Sequence, residues 1–281
     1  MPELPEVEIT ARRIGAATAG ATVESTLAPG LNALKTYDPP LSTLEGRRIE
    51  SLHRRGKLFL LDFEDELTLL IHLMSAGRLQ VFDKRASLRD RTSRFLLRLS
   101  DGSELRLREF GTKQRAWVKL LRAADVQADE TLSALGPEAW PDPPPFAPLL
   151  DAPRPLHALL RDQHVIAGIG RSWVDEILHA AKLSPFKRGA DLDEDEAERL
   201  RDSTTQQLGR AIAHYEEVIG LPIPDKLPMP LTVHRRHGEP CPRCGDGLEA
   251  VFYEDYVMCY CPTCQTDGKL LKDRRLSRLL K

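Results

Sequence analysis

All five cysteines of this 281-residue chain fall between Cys241 and Cys264. A disulfide framework spreads its cysteines so as to close loops, whereas a cluster near one end of a chain with no secretory signal points to metal. Cys241-Pro242-Arg243-Cys244 and Cys261-Pro262-Thr263-Cys264 are two C-x2-C knuckles with sixteen residues between them. That spacing suits four thiolates arranged tetrahedrally around one zinc ion in a β-hairpin ribbon. Four thiolates leave no position for water, so the zinc is expected to be structural. Cys259, the fifth thiol, reads as a bystander rather than a competing ligand.

The remaining sequence is long enough for two domains with separate cores. Up to about Arg122 it reads mostly as strands after a first helix that ends near Gly20. Lys57 to Phe63 and Leu67 to Leu73 flank Glu64-Asp65-Glu66, and Arg94 to Leu99 and Glu104 to Phe110 flank Ser100-Asp101-Gly102-Ser103. Both patterns predict hairpins, and the alternation in the last arm places Arg106 and Arg108 on one face. Prolines crowd residues 129–153, which admit neither a long helix nor a central strand. Helical spacing follows from Leu156, broken at Gly168-Ile169-Gly170, and Asp191 to Ile219 reads as one long amphipathic helix. The expected division is a strand-rich domain at 1–128, a linker at 129–153, a helical domain at 154–230, a zinc finger at 231–268 and a basic tail at 269–281.

Net charge is −2, but it is unevenly distributed: Arg106 to Arg122 holds six basic residues to one acidic, as does Lys269 to Lys281. Such stretches are either solvated faces or phosphate-binding ones. No apolar run predicts a membrane span. A cytoplasmic monomer is expected.

The amino terminus reads Met1-Pro2-Glu3-Leu4-Pro5-Glu6-Val7-Glu8. With Met1 removed, Pro2 is a secondary amine far less basic than a lysine and appreciably unprotonated at neutral pH. Such an amine attacks an aldehyde-like carbon to form a Schiff base. Glu3 is close enough to serve as a general acid or base. Pro5 fits the first helical turn, and Glu6 and Glu8 suit its positive end.

This string resembles the start of the formamidopyrimidine-DNA glycosylase and endonuclease VIII family, bifunctional DNA repair enzymes with an amino-terminal proline nucleophile. The resemblance extends through Arg55-Gly56-Lys57, the Gly168-Ile169-Gly170 turn and the finger introduced by Gly238-Glu239-Pro240-Cys241. It implies an α+β multidomain fold: an amino-terminal β-sandwich with flanking helices, a helix-two-turns-helix domain and a carboxy-terminal zinc-finger β-hairpin, with DNA in the cleft between. It assigns Pro2 as the nucleophile, Glu3 as the acid that helps open the sugar, Glu6 as a buried supporting carboxylate and Lys57 as a phosphate contact beside the lesion. His72 matches a histidine on the DNA face, although alone it reads as a core residue. Arg108 and Phe110 match an arginine and an aromatic wedge that enter the gap left by a flipped base.

Departures from the family pattern bear on recognition. Arg171 stands where the family has a phosphate-holding asparagine, and Tyr256 where the finger has a phosphate-binding arginine. Arg171 is expected to replace charge lost at Tyr256. The intercalating methionine is displaced, with Ser75 in its place and Met74 one residue early. The loop near the lesion-capping position is the proline-rich Leu221 to Pro230. The resulting expectation is a glycosylase with abasic-site lyase activity on damaged or abasic DNA. The alternative is a damaged- or abasic-DNA-binding protein of the same fold with weak or no excision.

Overall fold

A computed structural model describes residues 2–30, 32–87, 90–110 and 113–272. Met1, whose removal is expected, and the tail from residue 273 onward lie outside the described residues. The chain divides into two compact units, one of residues 1–134 and 212–228, the other of residues 135–211 and 229–281.

In the first unit, helix α1 (Leu4–Thr18) has Glu3 at its N-cap and Pro5 in its first turn. Its buried residues Leu4, Val7, Ala11, Ile14 and Thr18 recur every three or four positions and so share one face. Eight strands follow: β1 (Val23–Leu27), β2 (Ile49–Arg55), β3 (Leu58–Phe63), β4 (Leu67–His72), β5 (Gly77–Phe82), β6 (Ser93–Leu99), β7 (Glu104–Glu109) and β8 (Trp117–Arg122). They form two four-stranded sheets, ordered β2-β3-β4-β8 and β1-β6-β7-β5, and every pairing is antiparallel. Alternate residues meet between the sheets: Phe59, Leu61 and Phe63 of β3 and Leu69 and Ile71 of β4 join Phe95, Leu97, Leu105 and Leu107 of β6 and β7. Burying each such side chain stabilises the fold by roughly 1.5–3 kcal/mol. Both predicted hairpins form.

The second unit is helical, with a small hairpin. After the short α2 (Ala123–Val126) and α3 (Glu130–Ser133), which close the first stretch of unit one, come α4 (Phe146–Leu150), α5 (Leu156–Arg161), α6 (Arg171–Ala180) and α7 (Glu194–Val218). Strands β9 (Glu249–Phe252) and β10 (Val257–Tyr260) pair antiparallel ahead of α8 (Pro262–Thr266). Gly168 adopts a φ of +109°, a left-handed conformation that side chains resist, at the break between α5 and α6. Gln163 braces that turn, accepting from the Gly168 amide at 3.0 Å and donating to the Ile169 carbonyl at 2.8 Å.

Two expected boundaries move. Residues 129–153 are not a bare linker, because Ala139, Phe146 and Leu150 are fully buried and chain from residue 135 onward belongs to the second unit. The helical domain also ends early: Tyr215, Ile219 and Ile223 enter the sandwich core, so residues 212–228 belong to the first unit. Apolar side chains at the end of α7 decide this, since they bury against the sheets.

Candidate active site and nucleic-acid interface

The amino-terminal end of α1 is built around buried carboxylates. Glu3 and Glu6 are 2% and 3% exposed, and Pro2, immediately before them, is half-buried. The Glu6 carboxylate accepts the Glu3 amide at 2.9 Å, closing a capping box, and the Tyr215 hydroxyl at 2.7 Å. Burial and the adjacent Glu6 carboxylate push the Tyr215 phenol upward, so it remains a protonated donor.

Gly56-Lys57 is the two-residue turn of the β2–β3 hairpin, with Arg55 paired to Leu58. Gly56, at φ +57°, supplies the left-handed backbone that such tight turns need. His72 pairs with Leu58 at the end of β4 and stacks on Trp117 with ring centroids 5.6 Å apart. Its Nδ1 accepts the Met74 amide at 2.7 Å, so the neutral ring carries its proton on Nε2 and offers a donor there. Burial first, and the nearby Lys57 charge second, lower the His72 pKa to about 4. Met74, at φ +50°, and the exposed Ser75 form the turn from β4 into β5.

Arg108 lies beside that turn, its guanidinium 4.7 Å from the Phe110 ring. It donates to Gln80 Oε1 at 3.0 Å and lies 3.3 Å from Asp225. Gln80 in turn donates to the Ile223 carbonyl at 2.6 Å, so the proline-rich loop is fastened to β5 and β7. Lys57 and His72 thus come together, as do Arg108 and Phe110.

In the second unit, Arg171 opens α6. A cation there opposes the helix dipole, and Asp255 offsets it with contacts of 2.5 Å to its carboxylate and 2.7 Å to its carbonyl. The same guanidinium lies 5.1 Å from the Tyr256 ring, with Arg161 at 4.3 Å. Tyr256 stacks on Tyr253 at 4.3 Å and on His157 at 5.8 Å. Arg171 and Tyr256, which are distant in sequence, are therefore neighbours.

Further along α6, Asp175 accepts the Cys259 amide at 3.0 Å, pairs with His234 Nδ1 at 2.6 Å and lies 3.3 Å from His157. Glu176 accepts the amides of Thr232, Val233 and His234. These carboxylates seat the segment that leads into the hairpin. Cys241, Cys244, Cys261 and Cys264 form a four-cysteine cluster that could hold a metal ion, their sulfurs all lying within 4.8 Å of one another. Cys259 is buried, accepts the Arg235 amide at 3.2 Å and stands outside that set.

Comparison with known proteins matches both units. The formamidopyrimidine-DNA glycosylase N-terminal domain family matches residues 1–113, and the formamidopyrimidine-DNA glycosylase H2TH domain family matches residues 146–221. The chain is 34% identical over 282 residues to the formamidopyrimidine-DNA glycosylase of Chloroflexus aurantiacus, covering 94% of this chain and 98% of the relative. It is 33% identical over 290 residues to that of Thermus thermophilus, covering 95% and 100%. A crystal structure of Lactococcus lactis Fpg (MutM) in complex with DNA containing N7-benzyl-Fapy-dG matches with a TM-score of 0.84 and 25% identity, over 94% of this chain and all of that one. A sandwich followed by a helix-two-turns-helix domain and a four-cysteine hairpin defines a DNA-repair-type architecture. The chain belongs to the formamidopyrimidine-DNA glycosylase family.

Sequence reasoning missed Tyr215, Gln80, Asp225, Arg161 and Tyr253. Only Tyr215 left a trace, as an aromatic in phase with Leu208, Ala211 and Ile212 on the buried face of α7, and that phase reads as core.

Two outcomes follow from this geometry. Tyr215→Phe removes a charge-assisted bond to Glu6 and is expected to cost about 1.5–3 kcal/mol in denaturant unfolding. For His72, the unfolded chain takes up a proton near pH 6.5 that the folded chain refuses until about pH 4. Stability therefore falls as pH drops through that window, and His72→Gln should flatten this acid limb in urea midpoints measured against pH.

Proposed function

We propose that this chain is a bifunctional DNA glycosylase and abasic-site lyase of base excision repair, acting on damaged or abasic DNA. The observation that carries the reading is the buried Glu3 and Glu6 pair directly behind Pro2, in a chain that matches glycosylases along almost its whole length. That match favours excision over a binding-only role.

In the proposed reaction the nucleotide is extruded from the duplex. The Pro2 nitrogen attacks C1′, and the C1′–base bond breaks with its electron pair leaving on the base, which takes up the proton that the Pro2 nitrogen loses. Glu3 delivers a proton as the sugar ring opens, giving an iminium at C1′. The Glu3 carboxylate left behind then takes a C2′ proton as the 3′ phosphate departs, and a second elimination removes a C4′ proton to solvent and expels the 5′ phosphate. Glu6, fixed by Tyr215 and the Glu3 amide, holds the start of α1 so that Pro2 and Glu3 keep their positions.

Lys57 and Arg171 contact phosphates, an ordering role with little sequence information. Arg171 must exchange Asp255 for the phosphate, and a helix N-terminus favours that anion. Tyr256 supplies a ring beneath Arg171 in place of a second charge. His72, Met74, Ser75, Arg108 and Phe110 face the distorted nucleotides. A donor on His72 and an arginine backed by an aromatic suit an unpaired base.

The four thiolates hold zinc. A tetrahedral site with Zn–S bonds of about 2.3 Å places sulfurs about 3.8 Å apart, and Cys241–Cys264 and Cys244–Cys261 stand 3.9 and 3.5 Å apart. The ion is structural and supplies no step of the reaction. Among the described residues no helix is long and apolar enough to cross a membrane, and the chain acts on chromosomal DNA in the cytoplasm.

Borohydride reduction in the presence of an abasic duplex should give a covalent adduct that an extra residue fused ahead of Pro2 abolishes. Glu3→Gln should lower base release by about 10²–10⁴; an adduct that survives the fusion would remove Pro2 from the chemistry. Arg171→Ala should weaken abasic-duplex binding by roughly tenfold or more, the equivalent of about 1.5–3 kcal/mol, as read by fluorescence anisotropy. Wild-type affinity in that variant would end the idea that Arg171 replaces the missing finger arginine.

A further inference from the structure

His179 takes no part in the reaction proposed above. It lies on the third turn of α6, 6% exposed, with Nε2 3.2 Å from the Sγ of Cys241. We infer that His179 is a positioning residue of the metal centre, donating its Nε2–H to the Cys241 thiolate and thereby holding the metal more tightly. The inference rests on the zinc reading.

The direction of the hydrogen bond follows from the chemistry of the set. A thiolate bound to metal has no proton and only accepts, so the imidazole nitrogen facing it must donate. Four thiolates around a divalent cation leave an excess of negative charge on the sulfurs, and donors aimed at them disperse it. The knuckles supply some of these from their own backbone: the Arg243 amide approaches Cys241 Sγ at 3.4 Å and the Cys264 amide approaches Cys261 Sγ at 3.4 Å. His179 differs because it arrives from a helix outside the cysteine-bearing segment, more than sixty residues earlier.

Two neighbouring contacts fix the same end of α6 to the same segment. Arg243 donates to the Ala180 carbonyl at 3.2 Å, and Gln265 donates to the Leu183 carbonyl at 2.9 Å while its Oε1 accepts the Cys261 amide at 2.8 Å. The last carbonyl of the helix, that of Ala180, is thus satisfied by a residue of the first knuckle, and the turn just beyond the helix is held by the residue after the second. Arg171, Asp175 and His179 stand four residues apart on one face of α6, and each bonds to the finger or its lead-in. Occupancy of the metal site and the placement of α6 are thereby linked.

The test uses full-length protein carrying its metal. His179→Leu removes the donor, and His179→Gln keeps an N–H at similar reach. Transfer of zinc to excess chromogenic chelator should be about tenfold faster in His179→Leu, within the usual range for partners of metal ligands, and should return towards the wild-type rate in His179→Gln. In cobalt-substituted protein the thiolate-to-cobalt charge-transfer band should move to lower energy in His179→Leu, because a sulfur without its donor gives up an electron more readily. If leucine is not accommodated, His179→Phe takes its place in the comparison.

Equal release rates in wild type and His179→Leu, or an unchanged cobalt band, would overturn the role of His179. So would equally fast release from the glutamine and leucine variants, which would mean that packing alone is at work. Wild-type protein that binds no stoichiometric zinc would remove the zinc reading and His179 with it, and elemental analysis of the wild type separates that result from the others.

Discussion

A buried carboxylate destabilises a fold unless hydrogen bonds replace its water, and Glu6 meets that demand with one donor from its own helix cap and one from a distant part of the chain. The Glu3 amide reaches one oxygen and the Tyr215 hydroxyl, 209 residues away, reaches the other. The second bond adds to the burial of Tyr215, Ile219 and Ile223 in joining the end of α7 to the sandwich. Arg13 strengthens the same attachment by donating to the carbonyls of Glu216 and Ile219, the acceptors that a helix leaves unsatisfied at its carboxy end. A cation there also complements the helix dipole. The start of α1, and with it Pro2, is therefore set by tertiary packing as much as by its own capping residues.

Helix α6 has the corresponding place in the second unit. Its face carrying Arg171, Asp175 and His179 meets the tip of the β9–β10 hairpin, the segment leading into it and a cysteine of the four-cysteine cluster in turn. A helix gives this alignment without further design, because residues four apart point the same way. The departures at Arg171 and Tyr256 make physical sense as a pair in this setting. The guanidinium at the helix start leans on the Tyr256 ring, and Asp255 supplies the anion that pairs with it.

The legible parts of the sequence were those in which local chemistry dictates structure. The knuckles, the Gly168 break and the alternating strands each carry a short-range signal, and each appears where expected. The domain limits were less legible. Proline density suggested a linker at 129–153, yet prolines exclude only regular structure and leave Phe146 and Leu150 free to bury. Asp225 had no signal at all, since an acidic residue between prolines reads as a solvated loop, while its actual partners Gln80 and Arg108 lie on strands far earlier in the chain.

The sequence alone determined the residue types that can act: a proline at position 2, a glutamate beside it and four cysteines at metal-binding spacing. These are properties of bonds and neighbours along the chain. Only tertiary structure decided how those groups are held, through the phenol of Tyr215 on Glu6, the acidic partner of Arg171, the loop fastened to Arg108 and the imidazole of His179 on Cys241. The reason is separation: each of these contacts joins residues more than sixty positions apart, and hydrophobic periodicity reports which face of an element is buried but never what it is buried against.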